Sequence, residues 1–314
     1  MKILPMAEHW SFLWNKYLLD MLLVGILFAS CSPGCITRTG EVYTLKKGDL
    51  SFSVSADKGG RIVSFKRGGC EILTQESVHP NYYGATLWTS PQKYFWPPSP
   101  VLDKSPYTVE IARNTLRLTS KNDTLTGLRF IKEFSISESD TSIVIHYIIE
   151  NISDTVRQAA AWDVVRVLGG LSFFPLKDRM LPNLSSDLEA VSEENGLLWY
   201  DYSPLPVSKG QKLFATTSEG WLAHRQGGLL FIKRFPEVSV SDLPEMQGEA
   251  EIFLAPQSLY VELENHSACT RLEKGRSLSY RQQWHLLSLP ENGTPTKEEL
   301  AEKVRNILYR SAVR

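Results

Sequence analysis

The chain has 314 residues, a formal net charge of −1 at pH 7, 42% hydrophobic residues and 22% charged residues. This length fits one large domain or two of average size, and the composition is typical of a globular protein with a sizeable core. The balanced charge and the lack of a basic run give no electrostatic basis for binding nucleic acid. We therefore expect no nucleic-acid partner.

The first 30 residues carry the features of a secretory signal. Lys2 and Lys16 precede an apolar run at residues 21–29, MLLVGILFA, which is shorter than the about 20 apolar residues that span a bilayer. The run fits the central region of a signal peptide instead. A buried N-terminal helix is the alternative, but the aromatic residues before the run form no clean helical stripe. We expect residues 1–30 to be a signal peptide.

The end of this run resembles a bacterial lipobox, in which small residues precede a cysteine that receives lipid. The residues are Phe28-Ala29-Ser30-Cys31, and the resemblance implies that Cys31 becomes the lipidated N-terminus of an exported protein. Residues 31–47 mix Gly, Thr and Pro and predict a tether. We expect a periplasm-facing or outer-membrane lipoprotein of a Gram-negative bacterium, which contacts the membrane only through its lipid.

The remaining cysteines and the motif content predict no cofactor chemistry. If Cys31 carries lipid, Cys35, Cys70 and Cys269 remain, so at most one disulfide is possible within the chain. No cysteine pair has metal-ligand spacing, and we find no clustered metal ligands. The sequence has neither a Gly-rich phosphate loop nor a Gly-x-Ser-x-Gly nucleophile motif. We therefore expect no metal and no cofactor.

From Asp49 to Leu289 the sequence predicts one strand after another. The segments are rich in β-branched and aromatic residues and are separated by Gly, Asn, Asp, Ser and Pro, for example LSFSV, RIVSFKR, TSIVIHYIIE, AAAWDVVRVL and LYVELE. Roughly a dozen or more strands without intervening helices indicate antiparallel pairing. Strands that are apolar on both faces indicate stacked sheets. The sequence therefore predicts an all-β fold, with one large antiparallel β-sandwich domain over residues 48–290.

One helix is predicted after the sandwich, within residues 291–314. Thr296 and Glu299 have the spacing of a capping box, which marks the start of a helix. An amphipathic stripe at i, i+4, i+7 and i+8 follows, made of Leu300, Val304, Ile307 and Leu308.

Motifs at both ends of the predicted domain resemble the galactose mutarotase-like (aldose 1-epimerase-like) superfamily. At the start, KGGRIVSF at residues 58–65 and CEIL at residues 70–73 are similar to its Gly-Gly turn, which feeds a strand and a hairpin. At the end, YVELE at residues 260–264 and LEKG at residues 272–275, with the aromatic strand to Trp284, resemble the closing hairpin of hexose-phosphate epimerases. The resemblance implies a β-supersandwich that binds a saccharide on its concave face.

A third group of motifs lies between these two. GATLWTSPQ at residues 84–92 and WPP at residues 96–98 look like a bacterial subfamily of unknown function within the same superfamily. The whole resemblance covers essentially residues 49–289.

The resemblance also implies a catalytic base without its usual acid. The superfamily uses one His and one Glu on opposite sides of the sugar as acid and base. The closing motif aligns the family's Glu with Glu264, and Glu262 on the same strand face is the second choice. Trp162 and Arg166 lie where the family's His is expected, and they offer an aromatic platform and a cation rather than an acid.

Aromatic residues provide further candidate ligand contacts. Trp88, Gln92 and Trp96 belong to a Pro-stiffened segment, WTSPQKYFWPPSP, and aromatic rings in such a segment suit the apolar face of a sugar. The alternative is a hydrophobic plug that seals one end of the sandwich. Tyr260 shares the strand face of the two glutamates by alternation and is also expected to contact the ligand.

Each remaining candidate has a structural alternative. Trp162 and Arg166 either contact the ligand or form a core Trp with an Arg that covers it or pairs with a carboxylate. The two glutamates could instead be an outward-facing polar pair on an edge strand. Among the histidines, His79 precedes the aromatic segment and is the best candidate for the missing acid, since imidazole titrates near neutral pH. Lys233 is expected on a solvated edge.

Three functions remain open for this domain. The first is a carbohydrate-binding or accessory module, in which aromatic and Arg contacts hold a saccharide and Glu264 accepts sugar hydroxyls. The second is a sugar-acting enzyme of the aldose epimerase type, with Glu264 as base and an acid from elsewhere, such as His79. The third is a cell-envelope interaction protein that kept the fold and lost the ligand. The missing acid favours the carbohydrate-binding module, and fold analogy alone does not decide among the three functions.

Overall fold

Antiparallel strands make up most of the fold in the computed structural model, which describes residues 34–180, 190–202, 207–290 and 294–310. The first eleven strands are β1 (Cys35–Thr39), β2 (Val42–Lys47), β3 (Leu50–Ser55), β4 (Arg61–Arg67), β5 (Cys70–Glu71), β6 (Ala85–Ser90), β7 (Thr108–Ala112), β8 (Thr115–Thr119), β9 (Leu128–Ile136), β10 (Ile143–Asn151) and β11 (Arg157–Val167). The next ten are β12 (Leu171–Met180), β13 (Val191–Glu194), β14 (Leu197–Asp201), β15 (Gln211–Thr217), β16 (Trp221–Gln226), β17 (Leu229–Arg234), β18 (Ala250–Leu254), β19 (Val261–His266), β20 (Thr270–Leu272) and β21 (Ser277–Ser288). The helices are α1 (Gln92–Phe95), α2 (Pro100–Asp103) and α3 (Lys297–Arg310), with short 3-10 turns at Val240–Asp242 and Pro256–Ser258.

Two sheets share β12. The first sheet has the order β1-β2-β3-β4-β6-β11-β19-β18-β15 and ends on the second half of β12. The second sheet has the order β7-β8-β9-β10-β21-β17-β16, followed by the first half of β12, β14 and β13. Every one of these pairs is antiparallel. The all-β class predicted from the sequence is confirmed.

Aromatic rings from both sheets form the centre of the core. Phe52 on β3 lies 5.5 Å from Phe134 on β9 and 6.1 Å from Trp284 on β21, measured between ring centroids. Phe65 on β4 packs edge-on against Phe231 on β17 at 5.8 Å. All five side chains are buried. Edge-on contacts of this kind add to the area that the rings bury, and they hold the two sheets face to face as a sandwich.

The strands follow the alternation that the sequence shows. In β10, Ile143, Ile145, Tyr147 and Ile149 are buried, whereas the residues between them are half-buried. Strand β11 differs, because its residues from Ala159 to Val167 are buried on both faces. One face of β11 meets the core, and the other carries Trp162, Val164 and Arg166.

The C-terminal helix α3 has the predicted start and stripe. The Glu299 side chain accepts a hydrogen bond from the Thr296 backbone N–H at 2.8 Å, and the Thr296 hydroxyl accepts one from the Glu299 N–H at 3.2 Å. Leu300, Val304 and Leu308 are buried in a second apolar cluster with residues of β16 and β17. The predicted C-terminal helix is therefore confirmed, over Lys297–Arg310.

The predicted tether is wrong over most of its length. Residues Cys35–Thr39 and Val42–Lys47 form the hairpin β1–β2, and β2 pairs with β3 along its whole length. Tyr43 and Leu45 are buried in the core. The sheet therefore begins at Cys35 rather than near residue 48, because this hairpin extends the first sheet by two strands.

The N-terminal predictions concern residues that the structure does not describe. The signal peptide at residues 1–30 and the lipidated Cys31 lie outside the described residues. Within the described residues, Cys35, Cys70 and Cys269 are free thiols. None of the described helices is both long enough and apolar enough to cross a membrane.

Candidate functional site

A cavity of about 560 Å³ lies on the face of the first sheet that points away from the core. Five adjacent strands, β6, β11, β19, β18 and β15, each contribute one side chain to its wall. Loops before β6 and before β19 and the turn α1 provide the rest. The lining side chains are His79, Tyr82, Trp88, Gln92, Trp96, Trp162, Lys212, Phe253, Ala255, Pro256, Gln257, Leu259, Tyr260 and Glu262.

Strand register brings distant parts of the sequence together at this cavity. Trp162 on β11 pairs directly with Trp88 on β6 and with His266 on β19. Directly paired residues on adjacent strands have neighbouring side chains on the same face. The Trp88 and Trp162 rings are accordingly 5.2 Å apart and edge-on, and the Trp162 and His266 rings stack at 5.4 Å. The wall of the cavity therefore depends on pairing across β6, β11 and β19.

Glu262 faces the cavity and has a fixed counter-ion. Its Oε1 accepts a hydrogen bond from Nε of Arg166 at 2.8 Å. The Arg166 guanidinium is fully buried and lies over the rings of Trp88 and Tyr82, at 5.0 and 5.5 Å from their centroids. This pairing matches the alternative in which Arg166 binds a carboxylate beneath the aromatic rings. Arg166 orients Glu262 and does not itself line the cavity.

Glu264 lies deeper and has no exposed surface. Its Oε2 accepts hydrogen bonds from the Trp162 indole N–H at 2.6 Å and from the Lys212 ammonium at 2.9 Å. Trp162 and Lys212 both line the cavity, so they stand between Glu264 and a ligand. Glu264 itself does not line the cavity, and its predicted contact with a ligand stays a prediction.

Lys212 joins Glu264 to two further buried groups. Its Nζ lies 2.6 Å from Oε2 of Glu251, and Oε1 of Glu251 lies 3.3 Å from Nε2 of His266. The His266 Nδ1 is 3.0 Å from the Ser90 hydroxyl. This network of two carboxyl groups, one ammonium and one imidazole forms the floor beneath Trp162.

The network places the pKa values of its two carboxyl groups on opposite sides of the usual range. Burial raises the pKa of Glu264, Lys212 offsets part of this, and the carboxylates of Glu251 and Glu262 raise it further, to about 8. Burial also acts to raise the pKa of Glu251, but Lys212 and His266 lower it to about 2. Because one ammonium faces two carboxyl groups, one proton is retained, and Glu264 holds it at neutral pH.

The same network forms a set of possible metal ligands that the sequence spacing did not reveal. Glu251, Glu264 and His266 each present one ligand atom, and these atoms lie within 4.8 Å of one another. Carboxylate and imidazole groups in such a set are typical ligands of divalent metals. Here the Lys212 ammonium already lies 2.6 and 2.9 Å from the two carboxyl groups, so a protein cation stands where a metal would bind.

Trp88 and Trp96 are fixed by different means. The Trp88 indole N–H donates to Oδ1 of the buried Asp103 at 2.8 Å, and Asp103 also lies 3.6 Å from Arg61. Trp96 contacts Trp88 edge-on at 5.4 Å but is 46% exposed. Trp88 is therefore a rigid part of the cavity wall, and Trp96 stands at its open side.

His79 lies in the loop before β6 and lines the cavity. Its Nδ1 accepts hydrogen bonds from the backbone N–H groups of Asn81 and Tyr82, at 3.1 and 3.0 Å. The neutral ring therefore carries its proton on Nε2, where it can donate. Arg61 holds this loop by donating to the carbonyl groups of Asn81 and Tyr83.

Most of the predicted site residues meet at this one cavity. Those that line it are His79, Trp88, Gln92, Trp96, Trp162, Tyr260 and Glu262. Arg166 and Glu264 lie behind this wall, each bound to a residue that lines it. The roles assigned to these residues remain predictions.

Sequence reasoning missed Lys212, Glu251 and His266, and it placed Lys233 wrongly. Lys212 and Glu251 come from β15 and β18, whose spacing to the glutamate strand carries no motif. His266 lies two residues after Glu264 on the same strand, and its place on the same face as Glu264 was a usable signal. Lys233 is fully buried on the core side and pairs with Asp163 at 2.8 Å, so it is not on a solvated edge.

Comparison with known proteins identifies the fold. A family model described as "Domain of unknown function (DUF4380)" matches residues 87–287. No curated protein matches the chain in sequence. Among solved structures, the chain is similar to a protein provisionally described as an aldose 1-epimerase from Klebsiella pneumoniae subsp. pneumoniae MGH 78578, with a TM-score of 0.58, 11% identity, and coverage of 88% of this chain and 86% of that one.

Two further structures extend this likeness. A galactose mutarotase-like protein from Clostridium acetobutylicum matches with a TM-score of 0.56 and 10% identity, over 82% of this chain and 99% of that one. A TPR-domain containing protein from Parabacteroides distasonis ATCC 8503 matches with a TM-score of 0.56 and 13% identity, over 82% of this chain. The match spans only 50% of the length of that protein. The chain therefore has the galactose mutarotase-like fold that its motifs predicted.

Proposed function

The chain belongs to the DUF4380 family, and from its fold and its cavity we propose that it binds carbohydrate, as a binding or accessory protein. The galactose mutarotase-like fold supports a sugar-related function. Because a fold hosts many activities, the choice among them rests on the site.

A single observation carries this proposal, which is the composition of the cavity wall. Six aromatic rings face one space, with a small number of polar groups among them, and the rings are Tyr82, Trp88, Trp96, Trp162, Phe253 and Tyr260. Ligand cavities commonly have this composition, because apolar walls provide binding energy and a few polar groups fix orientation. Glu262 is the carboxylate on this wall, and Arg166 holds it in position to accept sugar hydroxyls.

Binding is favoured over catalysis because the family-aligned base is covered. Glu264 has no exposed surface and retains its proton at neutral pH. A protonated carboxyl group that cannot reach the ligand does not act as a general base. Glu264 instead anchors Trp162 and Lys212, and through them it shapes the wall.

A binding screen on the full chain tests the proposal. We expect tryptophan fluorescence and calorimetry to detect at least one saccharide, and we expect Glu262→Gln to weaken its binding about tenfold, because a charge-assisted hydrogen bond to the sugar is lost. Glu245→Gln is the matched control. Glu245 pairs with Lys93 next to the cavity residue Gln92, but it is exposed and does not line the cavity. If no saccharide binds, the interpretation as an interaction protein without a ligand replaces this one.

An enzyme of the aldose epimerase type is the second candidate. The observation in its favour is that His79 and Glu262 line the same cavity and that Nδ1 of His79 is occupied as an acceptor, which leaves the proton of the neutral ring on Nε2. His79 then serves as acid and Glu262 as base. NMR measurement of mutarotation tests this directly. Turnover that is lost in both His79→Gln and Glu262→Gln, but kept in Glu245→Gln, supports the enzyme; binding without turnover supports the binding protein.

We also propose that the protein is exported and anchored by lipid at Cys31. The support is the apolar run at residues 21–29 followed by Ala29-Ser30-Cys31. Metabolic labelling with a fatty-acid analogue in bacterial cells is the test. Label and membrane association are expected for the native chain and for Cys35→Ala, whose thiol lies on the exposed strand β1, but not for Cys31→Ala. A native chain without label contradicts the proposal.

A further inference from the structure

We propose that the ligand is an uncharged oligosaccharide of two or three sugar units, with an outer unit bound on Trp96. This inference rests on the proposed function and goes beyond it by naming the class of saccharide. Three properties of the cavity carry the inference: its size, the pairing of its charges, and the exposure of one tryptophan.

The size of the cavity exceeds what a single hexose needs. Cavities of roughly 300–1,000 Å³ enclose most of the surface of a drug-sized ligand, and a di- or trisaccharide is of that size. The cavity here is about 560 Å³. A free monosaccharide would leave part of the aromatic wall in contact with water, and the apolar contacts of that part would not contribute to binding.

The charges on the wall are already paired within the protein. Glu262 is bound to Arg166 at 2.8 Å, and Lys212 is bound to Glu251 and Glu264 at 2.6 and 2.9 Å. A uronic acid or an amino sugar would bring a charge into this space without a free counter-ion among the Lys and Glu side chains that line the cavity. Burying an unpaired charge is costly, so the site selects neutral sugars.

Trp96 provides a surface for a second sugar unit. It lines the cavity and is 46% exposed, whereas Trp88 and Trp162 on the inner wall are at most 5% exposed. Leu259, 39% exposed, also lines the cavity. A saccharide that fills the inner space and continues outward therefore meets an apolar ring at the open side.

A length series of neutral sugars tests the inference on the full chain. The probes are the mono-, di- and trisaccharides of glucose, galactose, mannose and N-acetylglucosamine, with α-1,4-trigalacturonic acid as the charged counterpart of α-1,4-galactotriose. In at least one series we expect the trisaccharide to bind about tenfold or more tightly than its monosaccharide, a difference of about 1.4 kcal/mol. Trigalacturonic acid is expected to bind more weakly than the tightest-binding neutral trisaccharide, because its carboxylates have no free counter-ion on the wall.

Two variants locate the outer unit. Trp96→Ala is expected to remove most of the tenfold gain from length, since losing one stacking ring costs up to about 1.5 kcal/mol. It is expected to leave monosaccharide affinity within about twofold, because the inner wall is unchanged. Tyr94→Ala is the matched control, because Tyr94 is 64% exposed, lies two residues away and does not line the cavity. It is expected to keep the gain.

The outcomes separate this inference from the proposed function. If a monosaccharide binds as tightly as its trisaccharide in every series, if both variants have the same effect, or if trigalacturonic acid binds at least as tightly as the tightest neutral trisaccharide, the inference is overturned while the sugar site stands. If none of the probes binds, both are overturned.

Discussion

Glu262 and Glu264 lie two residues apart on one face of β19, yet only Glu262 reaches the cavity. Trp162 accounts for the difference. Its ring lines the wall, and its indole N–H donates to Oε2 of Glu264 at 2.6 Å, so it covers the deeper glutamate. The alternation of β19 thus gives two carboxyl groups with different tasks. Glu262 faces the cavity, and Glu264 holds the wall in place.

The hydrogen bond between Trp162 and Glu264 is expected to contribute to stability. Trp162→Phe keeps an aromatic ring but leaves a fully buried carboxyl oxygen with one donor fewer, and we expect the free energy of unfolding to fall by about 1–3 kcal/mol. Urea denaturation measures this change. The control is Trp221→Phe, whose indole donates at 3.0 Å to the half-buried Glu219. An equal loss of stability in both variants would show that burial of the Glu264 carboxyl group does not add to the cost of losing its donor.

Stability is expected to depend on pH through Glu264. Its pKa is raised to about 8 in the folded protein from a usual value of 4.5, so the folded state holds a proton that the unfolded chain has lost between these values. Stability from this group is complete below pH 4.5 and is lost as pH rises towards 8. Each pH unit in that window removes up to about 1.4 kcal/mol.

Glu264→Gln isolates this effect, because glutamine resembles the protonated carboxyl group at every pH. The difference in free energy of unfolding between the native chain and the variant is expected to grow in favour of the variant from pH 5 to pH 8. This difference between the two proteins is the quantity to measure, because the stability of the native chain also changes with pH for another reason. Burial lowers the pKa of His266 and His285, so these groups make stability rise with pH below 6.5. A difference that does not change with pH contradicts the raised pKa.

Local signals predicted most of the fold. Alternation along β10 and the capping box of α3 depend on residues a few positions apart, so a single sequence contains them. The hairpin β1–β2 was missed, although Tyr43 and Leu45 alternate with polar residues and are buried. Its Gly and Thr content, with Pro33 just before it, suited a tether, and only pairing of β2 with β3 distinguishes the two.

The site was predictable only in part, for a physical reason. Trp88, Trp162 and Glu262 came from motifs and alternation within their own segments. Lys212 and Glu251 reach Glu264 through the register of β15, β18 and β19. Register depends on which strands pair, and this is set by the packing of the whole sandwich. Burial of Glu264 by Trp162 is a consequence of that pairing, and no pattern within the glutamate strand alone indicates it.

The buried ion pair on the core side gives a further prediction. Lys233 and Asp163 are both fully buried, and their charged atoms lie 2.8 Å apart. Lys233→Met leaves Asp163 without its counter-ion and is expected to cost about 3–5 kcal/mol of stability. The double variant Lys233→Met with Asp163→Asn is expected to recover most of this loss, which a double-mutant cycle in urea measures.

A surface pair serves as the control for this cycle. Lys274 and Asp154 form an ion pair that is 70% and 86% exposed, and Lys274→Met is expected to leave stability unchanged. If the losses in free energy of unfolding from Lys233→Met and Asp163→Asn simply add, the two buried side chains do not depend on each other, and the prediction is contradicted.

The turn at Gly59 links the start of the fold to the cavity. Gly59 has a φ of +68°, and a Cβ added there would lie 2.2 Å from the carbonyl oxygen of Asp103. Gly40 has a similar φ of +59° but no atom within 4 Å of an added Cβ. Gly40→Ala is therefore expected to cost only the left-handed strain of about 1–2 kcal/mol, and Gly59→Ala more than this, because Asp103 must move.

Movement of Asp103 extends the effect of Gly59→Ala to the ligand. Asp103 accepts the hydrogen bond of the Trp88 indole at 2.8 Å, so its displacement releases a ring of the inner wall. We expect Gly59→Ala to weaken saccharide binding as well as stability, and Gly40→Ala to lower stability alone. Urea denaturation and calorimetric titration of both variants, at a temperature where each is folded, measure the two effects. Unchanged binding in Gly59→Ala would show that Trp88 is held without Asp103.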